Sequence, residues 1–215
     1  MPTQSANKHE RRANKHERRT KETRELLLQA AEEIFARDGY EGAELGEIAA
    51  RAGRTKGAIY AQFKSKEDIF LALIEDKSLQ RRAEAQRLLA GAKTVEENRA
   101  ALRTFYQNLA KDESWPLLLL EYKLFAIRHA KSKKRLQSFF AEVISSADEA
   151  RIAAILGPAP KGKNTISRVD AVLSMQPVIS ALVLESKITS SGLEERAINN
   201  LIARIFDTLL DTPQK

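Results

Sequence analysis

Residues 44–69 read ELGEIAARAGRTKGAIYAQFKSKEDI, and this stretch decides the fold of the N-terminal part of the chain. Apolar residues recur at helical spacing from Leu45 to Ala52, which predicts a short helix with one small apolar face. Gly53 is expected to end this helix, because glycine enters positive φ without a Cβ penalty. Thr55 is expected to cap a second short helix, roughly Lys56 to Phe63, with its side-chain oxygen.

The second helix points Ile59 and Phe63 inward and leaves its outer face uncovered. A capping pattern follows at Ser65 to Asp68, ahead of apolar residues that begin at Ile69, and it predicts a longer third helix. Two short helices, a turn that contains glycine, and an uncovered second helix are typical of a helix-turn-helix, whose second helix enters the major groove of DNA. An ordinary helical hairpin is the alternative interpretation.

Residues 23–74 contain TRELLLQAAEEIFARDGY and EIAARAGRTKGAIYAQFKSKEDIFLALI, and they resemble the DNA-binding domain of the TetR/AcrR family of one-component transcriptional regulators. The resemblance covers the whole N-terminal domain and rests on caps, glycines, Tyr60, Phe63 and a Ser-Lys-Glu cap in this order. It implies an all-helical homodimer. It also implies that a larger C-terminal domain binds a small molecule and changes the spacing of the two DNA-reading heads.

Two residues depart from the family pattern. Glu44 stands where the family usually has a Thr or Ser that caps the first helix of the motif and contacts phosphate. A carboxylate suits the positive end of a helix but repels phosphate, so no DNA contact is assigned to Glu44. Arg54 replaces a commonly small turn residue, and its guanidinium is predicted to reach the DNA backbone.

The other candidate DNA contacts follow from side-chain chemistry. Phosphate contacts fix the register of a protein on DNA without reading sequence, and those predicted here are Thr55, Tyr60 and Lys66. Base contacts read sequence, and those predicted are Lys56 to guanine, Ala58 to a thymine methyl group, and Gln62 to adenine or phosphate. Gly57 lets the helix approach the duplex closely. A solvated surface lysine is the alternative for Lys56.

Composition narrows the class of protein. The chain has 215 residues, which suffices for one or two domains, and its formal charge of +7 favours a polyanionic partner. The absence of cysteine excludes disulfides, a thiolate nucleophile and cysteine-ligated metals. No apolar run of transmembrane length or signal sequence is recognised, so a soluble cytoplasmic protein without membrane contact is expected. Without a phosphate-binding glycine loop, a nucleophile elbow or a histidine cluster, we expect no enzyme, cofactor or metal.

The first 19 residues form a basic arm with a direct repeat. Residues 6–12 read ANKHERR, and residues 13–19 repeat them. The repeat has no apolar face, which predicts a frayed or disordered tail in the absence of DNA. On DNA the arm is predicted to contact phosphates or the minor groove, with Arg18 and Arg19 as the nearest candidates. A solvated charge run is the alternative.

The rest of the chain divides at residue 66. The fold class predicted is all-α, with a three-helix DNA-binding domain over residues 20–66, a ligand-binding and dimerisation domain over 67–215, and about nine helices in total. The segment from Trp115 to Ile127 is the most apolar and is expected to be buried nearly all round. Glu121 interrupts it and needs a partner, either an arginine such as Arg103 or Arg128, or a ligand.

Two sets of residues in the C-terminal domain are predicted to bind partners. An effector pocket, largely apolar, is expected between helices. Its candidate residues are Phe105, Tyr106, Trp115, Leu118, Glu121, Tyr122, Phe125, Phe139, Phe140 and Val143. The last two helices carry wide apolar stripes that suit a homodimer interface, while packing in the chain's own core is the alternative. The interface candidates are Leu182, Val183, Ile198, Leu201, Ile202, Ile205, Phe206 and Leu209.

The sequence therefore predicts a repressor that binds a (pseudo)palindromic double-stranded DNA operator as a homodimer and is released by a small, largely hydrophobic effector. An activator of the same family would share every residue discussed. A helical small-molecule sensor or carrier with a weakened DNA-binding head is a further alternative, for which Glu44 is the only indication.

Overall fold

The computed structural model describes residues 4–145, 149–159, 166–188 and 194–210, with the side chains of all except 4–13, 136, 139, 140 and 142–145. All regular structure in this part of the chain is helical, which confirms the predicted all-α class. The helices are α1 (Gln4–Gly42), α2 (Leu45–Arg51), α3 (Lys56–Gln62), α4 (Lys66–Ala90), α5 (Val95–Leu109), α6 (Ser114–Arg128), α7 (Ala130–Ser145), α8 (Glu149–Leu156), α9 (Arg168–Ile188) and α10 (Glu195–Leu210).

Ten helices are described where the sequence predicted about nine. The additional one is α8, an eight-residue helix in which Ile152 and Leu156 are buried. Apolar residues recur throughout residues 136–156, so their spacing alone did not reveal a helix boundary there.

The chain forms two compact units, residues 1–76 and 77–215. The division falls within α4, ten residues after the boundary predicted from the sequence. The reason is that the first half of α4 supplies core residues to the first unit: the ring centroid of Phe70 lies 4.5 Å from that of Phe35 and 5.2 Å from that of Tyr40. Tyr40 and Phe63 are both buried in this unit, and for Phe63 the sequence predicted this.

Helix α1 extends much further towards the N-terminus than predicted. It begins at Gln4 and includes the basic repeat, so the expectation of a disordered tail is wrong for these residues. Alanine, lysine, arginine and glutamate have high helix propensity, and they extend a helix that is already nucleated by its buried second half. Gly39, with φ of 70°, breaks the helical geometry near the end of α1.

Local caps set several helix starts. Thr94 accepts a hydrogen bond from the Glu97 amide at 3.1 Å, and the Glu97 carboxylate accepts from the Thr94 amide at 3.2 Å, which together form a capping box. Helix α6 begins at Ser114, and the side chain of its N-cap residue, Glu113, makes no capping bond; Asp112 supplies the capping oxygen instead. Its Oδ1 accepts from the amides of Ser114 and Trp115 at 3.2 and 3.1 Å.

Helix α6 is less buried than the sequence predicted. Its buried side includes Trp115, Leu118 and Tyr122, and the helix packs against α7 and α9. The expectation of burial nearly all round is wrong, because the side chains of Leu120, Leu124 and Ile127 are 42%, 41% and 70% exposed. The helix has neighbours on only part of its circumference.

The core of the second unit is built mainly from α5, α8, α9 and α10. Its buried members are Leu102, Phe105, Tyr106, Leu109, Ile152, Leu156, Ala171, Met175, Ile179, Val183, Ile198, Ile202, Phe206 and Leu210. Arg168, fully buried at the start of α9, donates hydrogen bonds to the carbonyls of Leu210 and Pro158. This arginine thereby satisfies the C-terminal end of α10.

Helix α9 meets the length and hydropathy requirements for a membrane span, with 21 residues and a mean hydropathy of 1.3 over its most apolar window. The expectation that no segment of the chain reaches transmembrane length and apolarity is therefore wrong for α9. A core helix of a water-soluble protein meets the same requirements, and Ala171, Met175, Ile179 and Val183 bury one side of α9 within the second unit.

Candidate nucleic-acid interface

Helix α3 is held in the first unit by few side chains. Ile59 is fully buried, and Phe63, directly after the helix, is 2% exposed. On the outer side Lys56 and Gly57 are exposed, and Tyr60 is 56% exposed. A seven-residue helix anchored in this way keeps a solvent-facing side on which an ammonium, a bare backbone and a phenol lie within two turns.

The turn before α3 has the predicted backbone. Gly53 adopts φ of 62°, and the Arg54 amide donates to the carbonyl of Ala49 at 2.8 Å. Thr55 occupies the N-cap position in an extended conformation, but its side chain makes no capping hydrogen bond, so that expectation is wrong. The Thr55 carbonyl instead accepts from the Ala58 amide at 2.9 Å. The exposed hydroxyl therefore has no structural role in the cap.

Two predicted DNA contacts lie against α1. Arg54 is half-buried, and its Nε donates to the hydroxyl of Thr23 at 3.4 Å. Gln62 is also half-buried, and its Nε2 donates to the carbonyl of Thr20 at 3.4 Å. Both side chains link α3 and its turn to the same stretch of α1, so in this structure they position the helix.

Lys66 is directed inward. Its Nζ donates to the carbonyls of Glu41 and Ala43 at 3.0 and 3.3 Å, and it lies 4.8 Å from the ring centroid of Tyr40. The ammonium satisfies carbonyls at the end of α1, which lack helical partners. The predicted phosphate contact from Lys66 conflicts with this position, since its donors are engaged within the unit.

Further contacts in this unit were not recognised in the sequence. The guanidinium of Arg24 lies 4.6 Å from the ring centroid of Phe63, at the C-terminal end of α3. On the other side, Arg51 pairs with Glu33 between α2 and α1. The partners are separated by 18 residues or more, so no local pattern pointed to them. The exposed ion pair is worth about 0–1 kcal/mol and acts mainly as an orienting contact.

The remaining predicted DNA residues lie at the surface. Ala58 is half-buried on α3, and Arg18 and Arg19 are exposed on α1. Glu44 is exposed at the N-cap position of α2 and makes no side-chain capping bond. Its carboxylate therefore lies at the surface of the same unit, where it would repel a nearby phosphate.

The residues predicted to line an effector pocket occupy different environments. Those that are buried are Phe105, Tyr106, Trp115, Leu118 and Tyr122; Glu121 and Phe125 are half-buried. The side chains of Phe139, Phe140 and Val143 lie outside the described part of the structure. Tyr106 donates to the carbonyl of Val172 at 3.5 Å, and burial raises the pKa of its phenol. Arg103, a predicted partner of Glu121, forms an ion pair with Asp207.

The predicted dimer residues divide into two groups. Val183, Ile198, Ile202 and Phe206 are buried in the core of their own unit, so a partner subunit cannot reach them in this conformation. Leu182, Leu201, Ile205 and Leu209 are half-buried on the flanks of the same helices. The apolar stripes of α9 and α10 are therefore largely used within the chain, which was the stated alternative.

A polar cleft of about 250 Å³ lies in the second unit. It is lined by Lys77, Gln80, Arg81, Glu84, Arg87, Asn108, Leu109 and Asp112. The carboxylate of Asp112 pairs with Arg81 and lies 3.2 Å from Nζ of Lys77. Burial alone would raise the pKa of Asp112, but a hydrogen bond from Ser114 and the two cations outweigh it and lower the pKa to about 2.

The sequence did not reveal this cleft, since its lining comes from segments about 30 residues apart. Across the described side chains, no three His, Cys, Asp or Glu residues come together as a metal site requires.

Comparison with known proteins agrees with the geometry of the first unit. Residues 27–73 match the family model described as bacterial regulatory proteins, tetR family. The chain is 51% identical over 53 residues to the HTH-type transcriptional repressor BepR of Brucella suis biovar 1, a match that covers 25% of each chain. It is 35% identical over 108 residues to the HTH-type transcriptional activator FasR of Mycolicibacterium smegmatis, covering 46% of each chain.

The matches thus span between a quarter and a half of the length of these two relatives. Among solved structures, the fatty acid degradation regulator FadR from Bacillus halodurans superposes with a TM-score of 0.68 and 18% identity. That superposition covers 89% of this chain and 96% of the other. At this identity it establishes a shared fold over nearly the whole chain, whereas the family model matches residues of the first unit.

Proposed function

Because the chain is a member of the tetR family of bacterial regulatory proteins through its N-terminal domain, we propose that it is a DNA-binding transcriptional repressor. In this proposal α3 enters the major groove of an operator, and a small molecule bound by the second unit releases the protein from DNA. Regulators rather than enzymes are the relatives found, which favours a cytoplasmic regulatory role.

One observation carries the proposal: the outer face of α3. Lys56, Gly57 and Tyr60 are exposed together, while the helix is fixed from behind by Ile59 and Phe63. Lysine donates to guanine O6 and N7, and the phenol of tyrosine donates to phosphate. A rigid helix with such a face suits direct readout of a few base pairs, with Thr55 and Ala58 at its edge.

We further propose that the protein acts as a homodimer. A symmetric dimer places two reading helices about one helical turn of DNA apart, or a multiple of it, and requires a (pseudo)palindromic operator. The support comes from α9 and α10, where Leu182, Leu201, Ile205 and Leu209 are half-exposed beside a packed core.

The proposed effector is small and largely hydrophobic. Aromatic residues are concentrated in the interior of the second unit, at Phe105, Tyr106, Trp115 and Tyr122. In this structure their side chains fill the interior, so an effector would have to displace or rearrange them. Such a ligand shifts the regulator only by its difference in affinity for the DNA-bound and released states.

An activator is the second candidate. The observation that favours it is the match to FasR, which extends over twice as many residues as the match to BepR. The two candidates bind DNA through the same face of α3 and differ in where the operator lies relative to the promoter.

The test is DNA binding by the full chain. The probe is a duplex from the region upstream of the protein's own gene, compared with a scrambled duplex at two salt concentrations. We expect preference for the upstream duplex, and we expect Lys56→Ala to reduce that preference by about 1–3 kcal/mol for each lost base contact. Lys93→Ala is the matched control, since it removes an exposed lysine from the second unit. Equal binding of wild type to both duplexes would refute sequence-specific regulation at this site.

A further inference from the structure

The basic repeat is carried by a helix that is continuous with the first unit. Residues 6–12 and 13–19 have the same sequence, and α1 begins at Gln4 and runs through both copies. Seven residues at about 100° each fall about 20° short of two full turns, so equivalent positions in the two copies lie nearly above one another. The repeat therefore doubles whatever surface one copy presents.

Helical register separates the charges of the repeat. The six basic positions fall within an arc of about 120° around the helix axis, at about 100° per residue. They are Lys8, Arg11, Arg12, Lys15, Arg18 and Arg19. Glu10 and Glu17 fall at register positions on the opposite side. We call these six positions the basic stripe.

The base of the repeat is fixed beside the reading helix. Gln62, at the end of α3, donates to the carbonyl of Thr20, one residue after the second copy. Arg54, in the turn before α3, donates to Thr23, and Arg24 lies over the ring of Phe63. Contacts at both ends of α3 thus hold the same turn of α1, and the repeat leaves the unit next to the face proposed to read DNA.

Burial in the core does not account for the stripe where its side chains are described, from residue 14 onward. Residues 14–22 are exposed, so no core explains their order in the sequence. Like charges on neighbouring turns destabilise a helix unless a polyanion lies opposite. DNA is such a polyanion, and its phosphates release counterions when arginine and lysine neutralise them, which favours binding. From Lys8 to Arg19 the stripe is about 16 Å long, which corresponds to about five base pairs of duplex.

We propose that the basic stripe of α1 binds the phosphate backbone of duplex DNA immediately outside the half-site read by α3. This inference rests on the proposed function for the location of the half-site. The stripe acts as an ordered cationic helix: it extends the DNA footprint and supplies much of the salt-dependent affinity, without reading bases.

A charge-swapped variant tests whether the order of charges matters. Glu10→Arg, Arg12→Glu, Glu17→Arg and Arg19→Glu together keep the composition and net charge but place two carboxylates in the stripe. The probe is a duplex that carries the wild-type footprint with about ten base pairs, one helical turn, on each side. We expect at least tenfold weaker binding at low salt, a shorter footprint, and a salt slope lower by about 3–4 per dimer, because each lost phosphate contact removes about 0.9.

Two controls make the outcome decisive. Lys93→Glu with Glu96→Lys exchanges two exposed charges in the second unit, keeps the net charge, and should leave affinity and slope unchanged. Circular dichroism of the swapped variant should match wild type, since residues 14–22 are exposed. A variant that lacks residues 1–19 gives the same affinity, slope and footprint measurements without the arm.

Wild-type affinity, slope and footprint in the swapped variant would overturn the proposal, since only net charge would then matter. A different outcome would separate the two proposals. If the wild type bound the upstream and scrambled duplexes equally, and the swapped variant bound neither, the DNA contact of the basic stripe would be upheld and the proposed function refuted.

Discussion

Helix α3 and helix α10 use their side chains in opposite ways. In the first unit, α3 commits only Ile59 to the core along its own length. In the second unit, α10 buries Ile198, Ile202, Phe206 and Leu210, one residue at every turn. A helix with one anchor keeps a face for a partner, whereas a helix with four anchors serves the core. Functional assignments from sequence are accordingly firmer for α3 than for α10.

The largest effect on stability is expected at Phe206. If α10 were an interface helix and not a core helix, this effect would be absent, and the contrast with α3 would fail. Its ring is 1% exposed and lies 5.8 Å from that of Tyr106. Phe206→Ala should lower the free energy of unfolding by about 3–5 kcal/mol, because the cavity it leaves lies in packed surroundings. Denaturation followed by the fluorescence of Trp115, the single tryptophan, measures this in the second unit. Thr208→Ala, at an exposed position, is the control; equal stability of both variants would contradict the assignment to the core.

A smaller effect is expected at the polar cleft. The pKa of Asp112 is lowered from 3.8 to about 2 in the folded protein, so its contribution is present above pH 4 and is lost as the pH falls towards 2. Full loss amounts to about 2 kcal/mol of the free energy of unfolding. Asp112→Asn should remove this part of the pH dependence while lowering stability at neutral pH. The measurement is the free energy of unfolding of variant and wild type as a function of pH. Parallel curves between pH 4 and 2 would contradict the prediction.

A third prediction sharpens the comparison within the first unit. Lys66→Ala removes the ammonium that donates to the carbonyls of Glu41 and Ala43. We expect a loss of about 1–2 kcal/mol in the free energy of unfolding, because these carbonyls lose a charged donor. Lys64→Ala, at an exposed neighbouring position, should have little effect on stability. If Lys66→Ala weakens DNA binding without changing stability, Lys66 contacts phosphate after all.

The smallest effect on stability is expected on the reading face itself. Lys56→Ala and Tyr60→Phe should each change the free energy of unfolding by less than about 0.5 kcal/mol, since both side chains are exposed. Thermal denaturation measures this, and DNA binding by the same preparations gives the functional effect. A loss of stability comparable to that of Phe206→Ala would mean that the outer face of α3 is packed.

Short-range signals in the sequence were read correctly. The turn at Gly53 and the cap at Ser65, whose hydroxyl accepts from the Asp68 amide, involve neighbouring residues, and the structure shows both. Contacts with distant partners were not recognised in the sequence. Lys66, a predicted phosphate contact, also donates to carbonyls 23 and 25 residues away. Asp112 accepts from the amide of Ser114 at the start of α6 and also pairs with Lys77 and Arg81, about 30 residues earlier in the chain.

The sequence by itself determined the helical class, the two short helices around Gly53, and the residues available on α3. Helical spacing, caps and turns are local, so they can be read from neighbouring residues. Tertiary structure alone decided which sides of α6 and α10 are buried, where Lys66 and Gln62 point, and that α1 runs unbroken through the basic repeat. An apolar stripe shows that a helix must bury one side, but the identity of the neighbour depends on contacts between residues far apart in the chain.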